Sequence, residues 1–374
     1  MRVQMVDLRS QYDLIKSEVD QAIQEVIDTT AFINGPQVKE FSNALAAYTG
    51  AKYVINCGNG TDALQIAMMG LDFQPGQEVI VPAFTYVATA EVIALLGLKP
   101  VFIDVLPTTF ELDNTQLESK ISSRTAGIVP VHLYGQCSNM EAILEIARRY
   151  HIKVIEDTAQ AIGAKYTFSD GTVRQAGTMG DVGTTSFFPS KNLGCYGDGG
   201  AMFTNDEKLA EKLHMIANHG QKKKYHHHIV GVNSRLDTLQ AAILNVKLQH
   251  LDRYSASRNE VADKYDEAFA GHAHIKIPVR AANSTHAFHQ YTVQLEGVDR
   301  DELKSYLAGK GVPTMVYYPL PLHQQEAYKN LGFVKGDFPV AESLCEKVLS
   351  LPIHTEMSAD DQEYIISTIH SFFN

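Results

Sequence analysis

Cysteine is scarce in this sequence, and so is positive charge. Four cysteines among 374 residues (Cys57, Cys137, Cys195 and Cys345) show neither metal-ligand spacing nor a dense disulfide framework, which fits a reducing compartment. Lysine and arginine number 32 against 43 aspartate and glutamate, a formal charge of -11. A general nucleic-acid binder needs a basic footprint, and this balance argues against one. The run Lys222–Lys224 is the strong local exception. No apolar run approaches membrane-spanning length. The opening stretch MRVQMVDLRSQYDLIK is charged throughout and lacks the apolar centre of a secretory signal. The expectation is a soluble cytoplasmic protein with neither nucleic acid nor membrane as partner.

What is present is ordinary globular material, 45% hydrophobic and 20% charged. The length exceeds the size at which one core stops growing, so a large domain over residues 1–250 and a smaller one over 251–374 are expected. Ile15, Val19, Ala22, Ile23 and Val26 recur at helical spacing. Short β-branched runs follow (KYVIN, EVIVP, KPVFID, AGIVPV, IKVIED), separated by helical patterns such as Thr61–Leu71 and Met140–Tyr150. This alternation predicts an α/β fold with a mostly parallel central sheet. After Phe203 helical patterns dominate, with a long helix expected over Arg235–Leu251 and Ser234–Asp237 reading as its capping box. A small C-terminal α/β unit then reads as YTVQL, a helix over Arg300–Lys310, and VPTMVYY.

Ligands of open α/β sheets bind beyond the carboxyl ends of the strands, so the residues just after each strand matter most. After KYVIN comes CGNGTDAL, where Gly58 and Gly60 let backbone amides approach an anion and Thr61 can open a helix. The same glycines imitate a dinucleotide fingerprint, but that reading needs an acid at the end of the next strand. Here Glu78 begins that strand and IVPAF ends it without one. After IKVIED, Asp157 closes a strand and Gln160 follows. After GTTSFF comes Lys191, between a short apolar run and a cluster of glycines. An anion site, a carboxylate and a lysine at three strand ends are together the requirements of pyridoxal phosphate. The lysine forms the Schiff base, the carboxylate keeps the ring nitrogen protonated, and the glycine turn holds the phosphate. Phe84 and Tyr86, in PAFTYVA after another strand, can stack on the ring. His226–His228 reads as a loop rather than a metal site, because three adjacent histidines cannot all face one ion on regular backbone and the ligand spacing is missing. Asp198, amid glycines, reads as a turn former.

The strings GNGTDALQIA, PAFTYVATAE, VIEDTAQAIGA, SFFPSKNLGCYGDGG and NSRLDTLQAAIL resemble the DegT/DnrJ/EryC1/StrS family of nucleotide-sugar aminotransferases. Within it, the lysine-site string and GQKKKYHHHIVGVNSRLD are most like the enzymes that aminate UDP-linked 3-keto-uronic acids. The resemblance implies the fold of type I pyridoxal phosphate transferases, glutamate as amino donor, and a homodimer with shared active sites. It implies catalytic roles for Lys191 and Asp157, a place for Gln160 beside the ring hydroxyl, and a phosphate cradle of Gly60, Thr61 and Ser186. It further implies Phe84 as the stacking ring and Asn233 as a residue reaching the neighbour's phosphate. Ser190, Arg235 and Tyr318 match sugar-contacting positions. Thr30 and Phe32 stand where Gly and Tyr are implied, and Tyr317 where His is implied. A neutral dTDP- or UDP-linked 3-keto- or 4-keto-deoxyhexose stays open as the acceptor, as does a non-catalytic regulator with this fold that binds pyridoxal phosphate or sugar. A dehydratase of the same family would carry histidine in place of Lys191.

Overall fold

Alternate residues of a single strand already define the layers of this protein. The computed structural model describes residues 3–374. Strands β1 (Tyr53–Cys57), β2 (Glu78–Pro82), β3 (Lys99–Ile103), β4 (Thr125–Ile128) and β5 (Lys153–Asp157) come first. A small antiparallel ribbon, β6 (Lys165–Thr167) with β7 (Val173–Gln175), precedes β8 (Val182–Ser186) and β9 (Gly200–Thr204). Seven of these form one sheet in the order β1-β9-β8-β5-β4-β2-β3. From β8 to β3 all pairs are parallel, and β9 runs antiparallel to both its neighbours. Val79 and Val81 of β2 pack into one core with Ile66 and Val92, while Ile80 packs into another with Ile143. The helices Gly60–Gly70 and Ala88–Leu95 therefore cover one face and Met140–Tyr150 the other. A parallel strand buried on both faces reads as a continuous apolar run, which is how EVIVP is spelled. Glu78, at the amino end of β2, pairs with Arg124 at 2.6 Å on the far edge of the sheet.

The opening helix spans Leu8–Thr29 and buries Ile15, Val19 and Val26. The helix expected over Arg235–Leu251 is instead two, Thr238–Leu248 and Leu251–Phe269. The capping box is also corrected, because Ser234 has another task. Its hydroxyl accepts the Gly58 N–H at 2.8 Å and donates to Asp62 at 2.6 Å, which holds Ser234–Asp237 outside the helix. The stretch 221–227, expected as a loop through the histidines, forms an exposed hairpin of β10 (Gln221–Lys223) and β11 (His226–His227).

Near the C-terminus β12 (Ile275–Lys276), β13 (Tyr291–Leu295) and β14 (Val348–Leu351) form an antiparallel sheet. Its core gathers Val261, Phe269, Leu303, Leu307, Ile365 and Ile369. VPTMVYY adds only an isolated bridge, Met315 to Ser350, and no strand. Leu322, Tyr328, Phe338 and Leu344 pack on the core of the large sheet, so this part of the chain ties the two sheets together. Among the described residues no helix is long and apolar enough to cross a membrane.

Candidate active site

The strands β1, β2, β5 and β8 point their carboxyl ends to one edge, and a cavity of about 510 Å³ opens there. Lys191 borders it by way of a tight turn. The chain leaves β8, buries Phe187 against Phe41 with ring centroids 5.3 Å apart, and folds back so that the Lys191 N–H meets the Phe188 carbonyl at 2.8 Å. Gly194 makes the turn possible, since a β-carbon there would lie 2.3 Å from the Pro189 carbonyl oxygen. Burial pushes the Lys191 amine down to about 8, against the opposing pull of the Asp157 charge.

Asp157 ends β5 and lines the same cavity. Its Oδ2 accepts the Thr89 hydroxyl at 2.8 Å and its Oδ1 accepts the Ala159 N–H at 3.1 Å. Gln160 is held from both ends of its amide, with Oε1 accepting the Tyr134 N–H at 2.7 Å and Nε2 donating to the Tyr318 hydroxyl at 3.1 Å. The Tyr134 hydroxyl donates in turn to the Tyr317 carbonyl. Ser190, Tyr317 and Tyr318 line the cavity too.

On the β1 side, Asn59 caps the helix Gly60–Gly70 by accepting the Asp62 N–H at 2.8 Å. Gly60, Thr61 and Ser186 border the cavity at this helix start, where free backbone N–H groups favour an anion. A β-carbon on Gly60 would lie 2.7 Å from the Ser186 β-carbon, and one on Gly200 would lie 2.4 Å from the Asn59 carbonyl oxygen. Side-chain-free backbone forms this corner. The groups that pyridoxal phosphate needs are thus on one wall system, an amine, a carboxylate and a cradle that added carbon would fill.

Phe84, the residue expected to stack on the ring, lies behind the cavity wall. Phe84 is fully buried, 6.3 Å from the Phe110 ring and 6.2 Å from the Tyr318 ring, and does not line the cavity. Tyr86, two residues on and 56% exposed, does. Four other expected residues lie outside the cavity. Thr30 caps the opening helix in the left-handed conformation (φ 53°), the setting that favours glycine. Phe32 is exposed, and its carbonyl accepts the Thr238 N–H at 3.0 Å. Asn233 is exposed and bridges Asn218. Arg235 borders a separate cavity of about 440 Å³ with Lys39, His214 and Asn218. The bridge between Ile33 and Asp237 brings these two segments together.

Strand-end reading did not find Thr89, His289 or Gln290, and the last two line the cavity. Thr89 lies seven residues beyond the end of β2, in the first turn of a helix, and shows no pattern of its own. His289 and Gln290 come from the segment that precedes β13 in the C-terminal unit, so no rule about the large sheet points to them. Burial and the charges of Lys191 and Arg258 hold His289 well below the usual histidine range, so it is neutral.

The model of the DegT/DnrJ/EryC1/StrS aminotransferase family matches residues 13–370. The chain is 48% identical over 352 residues to the UDP-2-acetamido-2-deoxy-3-oxo-D-glucuronate aminotransferase of Pseudomonas aeruginosa, covering 94% of this chain and 95% of that one. It is 46% identical over 376 residues to a Geobacillus stearothermophilus protein named pleiotropic regulatory protein, covering 100% and 99%. Among solved structures, S. venezuelae DesV in complex with a ketimine intermediate matches with a TM-score of 0.95 at 39% identity, over 99% of this chain and 98% of that one.

Proposed function

This chain belongs to the DegT/DnrJ/EryC1/StrS aminotransferase family and is a pyridoxal phosphate-dependent aminotransferase, and on that premise we propose that it transfers an amino group from glutamate to a UDP-linked 2-acetamido-2-deoxy-3-keto-hexuronate. The setting proposed is cytoplasmic synthesis of bacterial surface polysaccharide, including lipopolysaccharide. The observation that carries the reading is the convergence of Lys191, Asp157 and the Gly60 corner in one cavity. When bound, pyridoxal phosphate supplies an electron sink and a carrier for the amino group. Gly60, Thr61 and Ser186 are assigned to its phosphate, Asp157 to its ring nitrogen, Gln160 to the ring hydroxyl and Tyr86 to the ring face. Lys191 is assigned both its attachment and proton movement at the substrate carbon. With its amine near 8, about a tenth is neutral at pH 7, whereas an ordinary lysine is neutral to well under a thousandth. A base that is partly neutral can take a proton and return it.

We assign the acceptor's negative charges to a second copy of the chain. Among the described residues lining the cavity, Lys191 is the one lysine or arginine, and His289 is neutral. A nucleoside diphosphate carrying a uronate has more charge than that amine can meet. Asn233, Arg235, Phe32 and Thr30 gather on another face, and the Lys222–Lys224 hairpin is exposed. A homodimer that brings these against the partner's cavity supports both the charge balance and the shared site.

The regulatory reading draws on the name of the Geobacillus relative. Lys191 and Asp157 bordering one cavity weigh against it, since a sensor of sugar has no need of an amine depressed by burial. The experiment is direct. Purified protein treated with borohydride should carry the cofactor on Lys191 in peptide maps, and a panel of UDP- and dTDP-keto-sugars with glutamate should single out the 3-keto-uronate. A label elsewhere, or none, overturns the catalytic reading. A preference for a neutral sugar overturns only the uronate.

A further inference from the structure

Asp157 is the one carboxylate whose orientation the proposed chemistry depends on, and a buried hydroxyl holds it. Thr89 is fully buried and donates to Asp157 Oδ2 at 2.8 Å across 68 residues of sequence. Threonine in a first helical turn ordinarily bonds the local backbone. The helix Ala88–Leu95 has no side-chain cap, with Val87 at the capping position, yet the Thr89 proton goes to the end of β5. In the sheet β4 lies between β2 and β5, so this bond spans a whole strand. The segment that supplies Thr89 also supplies Tyr86, the exposed ring of the cavity wall.

A carboxylate has about four lone-pair sites. Thr89 takes one on Oδ2 and the Ala159 N–H takes one on Oδ1. Two donors on different oxygens fix the rotation of the group about its last bond, and the remaining capacity faces the cavity that Asp157 lines. Without Thr89, the backbone donor alone leaves that rotation free.

We propose that Thr89 is the positioning residue of Asp157, fixing the carboxylate so that its free edge meets the ring nitrogen of the cofactor. The inference rests on the reading of Asp157 as the partner of that nitrogen. Thr89→Val keeps the shape and removes the donor, and Thr89→Ser keeps the donor. Apoprotein of each is titrated with pyridoxal phosphate by its visible absorbance, and the half-reaction with glutamate is followed by the change in that absorbance. Thr89→Val should weaken cofactor binding and slow the half-reaction by roughly ten- to hundredfold, the worth of a hydrogen bond to a charged group. Thr89→Ser should stay within about threefold of wild type, since it restores that bond. In an Asp157→Asn background, Thr89→Val should add little, because the charge it orients is gone. Wild-type behaviour of Thr89→Val, equal losses in the Val and Ser variants, or full additivity with Asp157→Asn would each overturn the proposal. If Thr89→Val does not fold, the same comparison is made with Thr89→Ala against Thr89→Ser. A glutamate half-reaction of Asp157→Asn within about threefold of wild type would instead overturn the reading of Asp157 itself, whatever Thr89 does.

Discussion

Gly60 and Ser186 stand so close that a β-carbon on Gly60 would lie 2.7 Å from that of Ser186 and 3.3 Å from its hydroxyl oxygen. Gly60 opens the helix that follows β1, and Ser186 ends β8. Real β-carbons do not sit at 2.7 Å, so one side of this corner must move if a side chain is added. Both sides belong to the proposed phosphate cradle.

Gly60→Ala is therefore expected to lower cofactor affinity by tenfold or more. Overpacking a tight corner also costs about 1–3 kcal/mol of stability. Cofactor titration and thermal melting of the apoprotein measure the two effects. A variant that melts lower but binds cofactor normally would show that Gly60 serves packing alone.

Much of this arrangement was legible in the sequence. The strands β1 to β5 and the placement of Gly60, Asp157 and Lys191 just beyond strand ends could be read because β-branched runs mark strands and loops follow them. Tyr86 and Phe84 could not be told apart, since both follow β2 by a few residues. Only tertiary packing turns Phe84 toward Phe110 and leaves Tyr86 exposed. The capping box at Ser234 misled because its local signature was sound. The competing partners, the Gly58 amide and Asp62, lie more than 170 residues away. His289 was invisible for a similar reason, as it enters the cavity from the other sheet's connection.

Lys247 provides a test of linkage away from the site. It is 1% exposed, with its amine 5.3 Å from the centre of the Tyr196 ring. Burial pushes the amine down to about 8, Cys195 opposes that shift, and Arg258 adds to it. Unfolded, the amine returns to its ordinary value of 10.5. Between these values the unfolded chain binds more protons than the folded one, so stability rises with pH through that window. Below about 8 both states are protonated and the folded state carries the full penalty. Lys247→Met should thus be more stable than wild type at pH 7 and should flatten the rise above pH 8, as read from urea denaturation. Lys191 contributes a slope of the same sign in apoprotein, and a second substitution there should flatten the curve further. A Lys247→Met variant less stable at pH 7 would show that the buried amine is a net support.

Sharing of the active site is testable by mixing. Lys191→Ala and Asn233→Ala should each be inactive or nearly so. In a hybrid dimer, the cavity with intact Lys191 faces the subunit with intact Asn233. Random exchange in a two-fold dimer should then restore about a quarter of wild-type activity. Exchange verified by mass spectrometry with no recovery would confine Asn233 to its local bridge with Asn218.

The proposed sugar specificity can be tested at Arg235. The helix begins at Thr238, so Arg235 lies in the segment before it. Arg235 borders a cavity of about 440 Å³ with Lys39, so two cationic side chains share its wall. A guanidinium grips a carboxylate through two parallel hydrogen bonds, which an ammonium cannot reproduce. Arg235→Ala should raise KM for a UDP-3-keto-uronate by roughly ten- to hundredfold, the scale of a lost bond to a charged group. KM for a neutral keto-sugar should change by less than about threefold, because no carboxylate is lost from its complex. Arg235→Lys should fall between wild type and alanine for the uronate alone, since it keeps the charge and loses the fork. The glutamate half-reaction should also weaken in Arg235→Ala if the donor's carboxylate occupies the same place. Steady-state kinetics on paired charged and neutral acceptors supply the measurement. Equal losses for both acceptors would make Arg235 structural and remove the uronate from the proposed function.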